Sequence, residues 1–175
     1  MSVIPNARAG LEPSLAILHS DETYALGTFD RYLLATWRKE VSMLGALHWG
    51  RALGELCSAQ AGRPTGSLTF MEPDCTYPTQ EPVESTFGES MGRYSAVLRA
   101  TATVYPRDGF WGAALRGQVT SVHRDLPVPI RFLVTTRAED AASWLVETLA
   151  EASSERGAAL NQALNELRAA PVTPR

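Results

Sequence analysis

Cysteine is nearly absent from this 175-residue chain, which has only Cys57 and Cys75. Neither belongs to a CxxC pair, so a thiolate zinc site or a disulfide-stapled secreted framework has no basis, and reduced thiols in the cytoplasm are the expectation. Histidine is scarce as well. His19, His48 and His123 stand in none of the HxH, HxxxH or HExxH spacings, so each is read as a surface or core histidine and no metal site is expected. An excess of positive charge is also missing. Sixteen Lys and Arg face 19 Asp and Glu, for a net charge of -3 and no strongly basic stretch, which argues against nucleic acid as a partner. No apolar run approaches the roughly 18 residues of a membrane helix, and the stretch up to residue 13 lacks the apolar core of a signal peptide. The phosphate loops GxGxxG and GxxxxGK[ST] do not occur. Gly62-Arg63-Pro64-Thr65-Gly66 leads into a strand instead of opening a helix, the reverse of what anion binding at a helix N-terminus requires. No cofactor is expected.

What is present is the composition of an ordinary globular domain, 45% hydrophobic and 20% charged. The length suits one core, with residues 1–13 read as an N-terminal arm, 14–152 as the α/β domain and 153–175 as a C-terminal helix and tail. Short β-prone runs at 15–19, 23–29 and 32–38 surround a turn at Phe29-Asp30-Arg31. A helix over 41–59 is predicted from Ala46, Trp49, Leu53, Leu56 and Cys57 at three- and four-residue steps, with His48, Arg51 and Glu55 on a water-facing side. An inner strand at 67–71 precedes the longest clear loop, 74–81. Val83, Phe87 and Met91 then predict a helix over 82–94.

Residues 97–105 alternate Leu98, Ala100, Ala102 and Val104 with Arg99, Thr101 and Thr103, the pattern of a strand with one more polar face. A helix at 110–120 with Trp111, Ala114, Leu115 and Gln118 in step, a strand at 130–136 and a helix at 138–150 carrying Ala141, Ala142, Leu145 and Leu149 complete the alternation. Together these elements predict an α/β fold: a mixed, mostly parallel sheet of about four to five strands with an N-terminal hairpin, flanked by helices.

Candidate chemistry is thin. Glu72 and Asp74 at a strand exit suit an acid/base pair or a hard cation, although a solvated loop explains them more simply. Cys75 is the one thiol in a suggestive place, with an unreactive thiol the favoured reading. Trp37, Trp49, Trp111 and Trp144 are read as core. Leu160, Leu164 and Leu167 form a terminal stripe behind the Ser153-Ser154-Glu155-Arg156-Gly157 break. It can dock on a partner or a second copy, with folding back on its own domain weighed slightly ahead.

Tyr32-Leu33-Leu34-Ala35-Thr36-Trp37 with Val41, Arg99-Ala100-Thr101-Ala102-Thr103-Val104, and above all Pro129-Ile130-Arg131-Phe132-Leu133-Val134-Thr135-Thr136 followed by Ala138-Glu139-Asp140-Ala141-Ala142-Ser143-Trp144-Leu145 resemble the STAS superfamily. The branch concerned is that of bacterial anti-sigma-factor antagonists and Sec14-type lipid-binding domains. The resemblance implies a regulatory module. It departs from the family where antagonists carry a phosphorylated serine in an Asp-Ser-Ser-Gly turn, because the matching place here reads Glu72-Pro73-Asp74-Cys75-Thr76-Tyr77. No phosphoacceptor carries over. The leading expectation is a non-enzymatic regulatory or scaffold module that binds another protein or itself, with Asp74, Cys75, Thr76, Tyr77, Leu160, Leu164 and Leu167 as candidate interaction residues. A small-molecule or lipid binder with an apolar pocket between helices and sheet is the alternative, and an enzyme resting on Glu72, Asp74, Cys75 and Thr76 comes third.

Overall fold

The alternation of apolar and β-branched residues in the first third of the chain builds three consecutive antiparallel strands, β1 (Leu15–Ser20), β2 (Tyr24–Phe29) and β3 (Tyr32–Trp37). The computed structural model describes residues 13–76, 81–124, 129–150 and 154–172. Asp30 sits at φ 51 in the two-residue connection between β2 and β3, a left-handed position that aspartate tolerates better than most side chains.

From β3 onward the chain alternates. α1 (Met43–Ala59), β4 (Thr65–Met71), α2 (Glu81–Tyr94), β5 (Leu98–Val104), α3 (Gly109–Arg124) and β6 (Arg131–Thr135) follow, then α4 (Ala138–Thr148) and α5 (Ser154–Arg168). The strands lie in sequence order, with β3, β4, β5 and β6 parallel to one another. The described residues thus hold a six-stranded mixed α/β sheet where about four to five strands were expected. Each of the six β-prone runs forms a strand, and β1 pairs with β2 to widen the antiparallel half.

Helices cover both faces. Ser42 caps α1 by accepting from the Gly45 N–H at 3.2 Å, and the stripe Ala46, Trp49, Leu53, Leu56 and Cys57 packs on Leu33, Ala35 and Trp37. Val83 and Met91 of α2 join the same cluster. On the opposite face Leu34, Leu68, Phe70, Ala102 and Val104 meet Ala141, Ala142, Leu145 and Leu149 from the α4 region and Leu160, Leu164 and Leu167 of α5. The C-terminal helix therefore shares the core of the 14–152 unit. Asp30 at the hairpin tip is ion-paired with Arg156 of α5, and Arg38 donates to the Ala170 carbonyl at 2.9 Å and to the Asp21 carbonyl. No helix among the described residues is long and apolar enough to cross a membrane.

The more polar face of β5 is largely buried. Only Arg99 is exposed, while Thr101 and Thr103 are 5% and 8% exposed beneath the first helix layer.

Candidate functional site

The loop after β4 begins with a clamp. Both oxygens of Glu72 are held by Arg168 of α5, Nε at 2.8 Å and Nη2 at 3.0 Å, and the Arg168 guanidinium lies 3.7 Å from the centroid of the Phe70 ring. Asp74 is exposed and Cys75 is buried. Burial, then the nearby Glu40 and Glu72 carboxylates, push the Cys75 thiol up to about 12, which keeps it protonated and unreactive. Burial likewise pushes the Cys57 thiol up, against a contact with Thr65 Oγ1. Thr76 is exposed, but its backbone N–H and hydroxyl both donate to the Lys39 carbonyl, and its own carbonyl accepts from Val41 N–H at 3.1 Å. Tyr77 lies outside the described residues, as does the rest of the loop up to α2. Of the enzyme set only Asp74 and Thr76 are fully exposed, while Glu72 is half-buried under its clamp.

Leu160, Leu164 and Leu167 follow the fold-back reading and not the docking one. Each is 0% exposed beneath the chain's own sheet, so the stripe offers nothing to a partner in this fold.

The fold brings together two histidines that spacing kept apart. His19 of β1 stacks on Tyr24 of β2, with ring centroids 4.6 Å apart, and its Nε2 meets Asp21 Oδ2 at 3.1 Å. The other oxygen of Asp21 accepts from the backbone N–H groups of Thr23 and Tyr24 and from the Thr23 hydroxyl, which locks the β1–β2 turn. The Tyr24 hydroxyl reaches His48 Nδ1 of α1 at 2.5 Å, and the two imidazoles lie 5.5 Å apart edge-on. Burial, with repulsion from His19 and Arg51 against an opposing pull from Asp21, holds the His48 imidazole below its ordinary value. The neutral imidazole and the Tyr24 hydroxyl share this hydrogen bond, with the tautomer of His48 deciding which of them donates. His48, expected to meet water, is instead a half-buried partner of the hairpin. Among the described residues no group of three His, Cys, Asp or Glu is placed to hold a metal ion.

No GxSxG elbow was expected, yet Gly88-Glu89-Ser90-Met91-Gly92 has that form. It lies inside α2 and not at a strand-to-helix turn, so the sharp exposed elbow is missing. Ser90 serves packing. A side chain at Gly50 of α1 would run into its hydroxymethyl group, and one at Gly54 into the ring of Tyr94. These glycines let α1 and α2 approach closely.

The outer side of α1 leaves three large apolar side chains exposed. Met43, Leu44 and Leu47 are 37%, 47% and 54% exposed within little more than one turn. Arg51, ion-paired to Glu55 at 2.9 Å, continues the stripe, and Glu89 and Arg93 of α2 line the far side of the adjoining groove.

No family model matches the chain, and no curated protein or solved structure is similar to it. What the domain does must come from its own side chains.

Proposed function

We propose that this chain is a cytoplasmic, non-enzymatic regulatory or scaffold module that associates with a second copy of itself through the outer side of α1. The observation that carries this reading is the cluster Met43, Leu44 and Leu47, three large apolar side chains left in water on a helix whose other side is fully engaged. Single exposed leucines are ordinary on protein surfaces, whereas a contiguous apolar stripe marks an interaction site. The rim favours a second copy as the occupant. Arg51 and Arg93 lie beside Glu55 and Glu89, so a two-fold partner sets the acids of one copy against the bases of the other. The unreactive Cys75 and the clamped Glu72 fit a module that works by contact and not by turnover.

Size-exclusion chromatography with light scattering tests it. The wild-type chain should give a concentration-dependent dimer mass, and Leu44→Glu with Leu47→Glu should return a folded monomer. A wild-type chain that stays monomeric up to high micromolar concentration overturns the proposal.

A further inference from the structure

The first helix layer does not close completely onto the sheet. A cavity of about 60 Å³ remains between α1, α2, α3 and the strands, with Ser67, Thr69, Thr101 and Thr103 as its floor. Its walls are apolar, with Trp37, Met71, Phe87 and Met91 prominent among them. Three polar atoms on this lining are fully buried without a hydrogen-bond partner among the described residues: Ser67 Oγ, Thr101 Oγ1 and Trp49 Nε1. Ser67 and Thr101 are register partners on β4 and β5, so their side chains share one face of the sheet, and Trp49 stands on α1 across from them. The parent side chains are 1%, 5% and 3% exposed. A buried donor left unmade costs free energy, so orphans that share one space point to something that fills it.

We propose that this cavity is a binding site for a small uncharged molecule bearing an oxygen acceptor. The chemistry of the lining specifies the class. An indole N–H can only donate, so the occupant must accept there, while two hydroxyls can donate to it or accept from it. None of the described side chains at the cavity is charged, so a carboxylate, a phosphate or an amine would meet no counter-charge from them. Apolar walls with a few convergent polar groups are the general form of a small-molecule site. Space for a few non-hydrogen atoms leaves no room for a lipid tail. Short carbonyl compounds, amides and alcohols fit. The cover is adaptable, because Phe87 is only partly buried and Met91 is unbranched. The site is separate from the outer side of α1, so it stands or falls independently of the self-association above.

The test follows the Trp49 indole N–H by two-dimensional NMR, assigned with Trp49→Phe, during titration with acetamide and acetone and with acetate as the charged control. The expected result is a saturable downfield shift of this resonance alone in the millimolar range, with acetate inert. Thr101→Val together with Ser67→Ala should weaken the response at least tenfold, and Thr101→Ser should keep it. Thermal melts of each variant verify that the fold persists. A shift that never saturates, that appears equally at the other indoles, or that survives the loss of both hydroxyls overturns the proposal. So does an indole N–H that shows contacts to trapped water at every probe concentration.

Discussion

Cutting the Glu72–Arg168 clamp tests whether Glu72 is a structural fastener of α5 or a free acid at a strand exit. The pair is bidentate, at 2.8 and 3.0 Å, and its side chains are 26% and 31% exposed. Two unit charges about 4 Å apart attract by about 4 kcal/mol at an effective dielectric near 20. Desolvation and lost rotamer freedom offset most of that, so the net coupling should be about 1–2 kcal/mol, above the range of fully exposed pairs. The guanidinium stack on Phe70 adds about 0.5–1 kcal/mol that survives when only Glu72 is changed. Urea unfolding of wild type, Glu72→Gln, Arg168→Met and the double variant forms the cycle. Arg168→Met should cost more than Glu72→Gln, because it loses the stack as well as the pair. The double variant should lose less than the two single losses combined, by the coupling energy. Strict additivity within about 0.3 kcal/mol would refute the clamp and return Glu72 to the list of available acids.

Three further outcomes follow from the same geometry. Because His48 is held below its ordinary value, the unfolded chain takes up its proton first as pH falls. The stability owed to neutral His48 is therefore complete above about pH 6.5 and lost below it. The difference in urea midpoint between wild type and His48→Gln should shrink from pH 8 to pH 5.5, and a constant difference would contradict the reading. Gly45→Ala should lower stability by about 1–2 kcal/mol, since its new methyl group meets the buried Trp37 ring, with Cη2 at 2.9 Å, and the gain in helix propensity offsets only part of the strain. Gly54→Ala, which meets only the half-buried and movable Tyr94, should be close to neutral in the same thermal melts. In the native protein at pH 8 neither Cys57 nor Cys75 should react with a disulfide reagent within minutes, while both should react in urea. A fast native equivalent would show an open thiol.

Period carried most of the fold into the sequence. The α1 stripe from Ala46 to Cys57, the Val83 and Met91 positions of α2 and the Ala141 to Leu149 pattern all lie where their spacing puts them, because a single buried stripe leaves a 3.6-residue signature. Ala114 is an exception, exposed although it keeps step. Pairing and facing were less legible. The threonines of β5 alternate as a solvent face does, yet they lie under a helix layer that the strand's own residues cannot announce. The meeting of His19 with His48 depends on β1 lying beside β2 beneath α1, a tertiary event with no local motif. Leu44 and Leu47 fall on the same side of α1 as Arg51, so the buried stripe already turns them away from the core. The Glu72 clamp joins residues 96 apart, beyond the reach of any spacing rule.

The packing of α5 on the first hairpin also sets an order of events during synthesis. Asp30 and its partner Arg156 are 126 residues apart, and Ala25, Phe29, Tyr32 and Leu34 belong to the core that α5 closes. At about 5–20 residues per second, a ribosome exposes one side of that hairpin for about 6–25 s before its cover emerges. The β1 edge, irregular between Ile17 and His19, is then the nascent chain's chief guard against pairing with a neighbour, since a bulge twists an edge away from edge-to-edge contact.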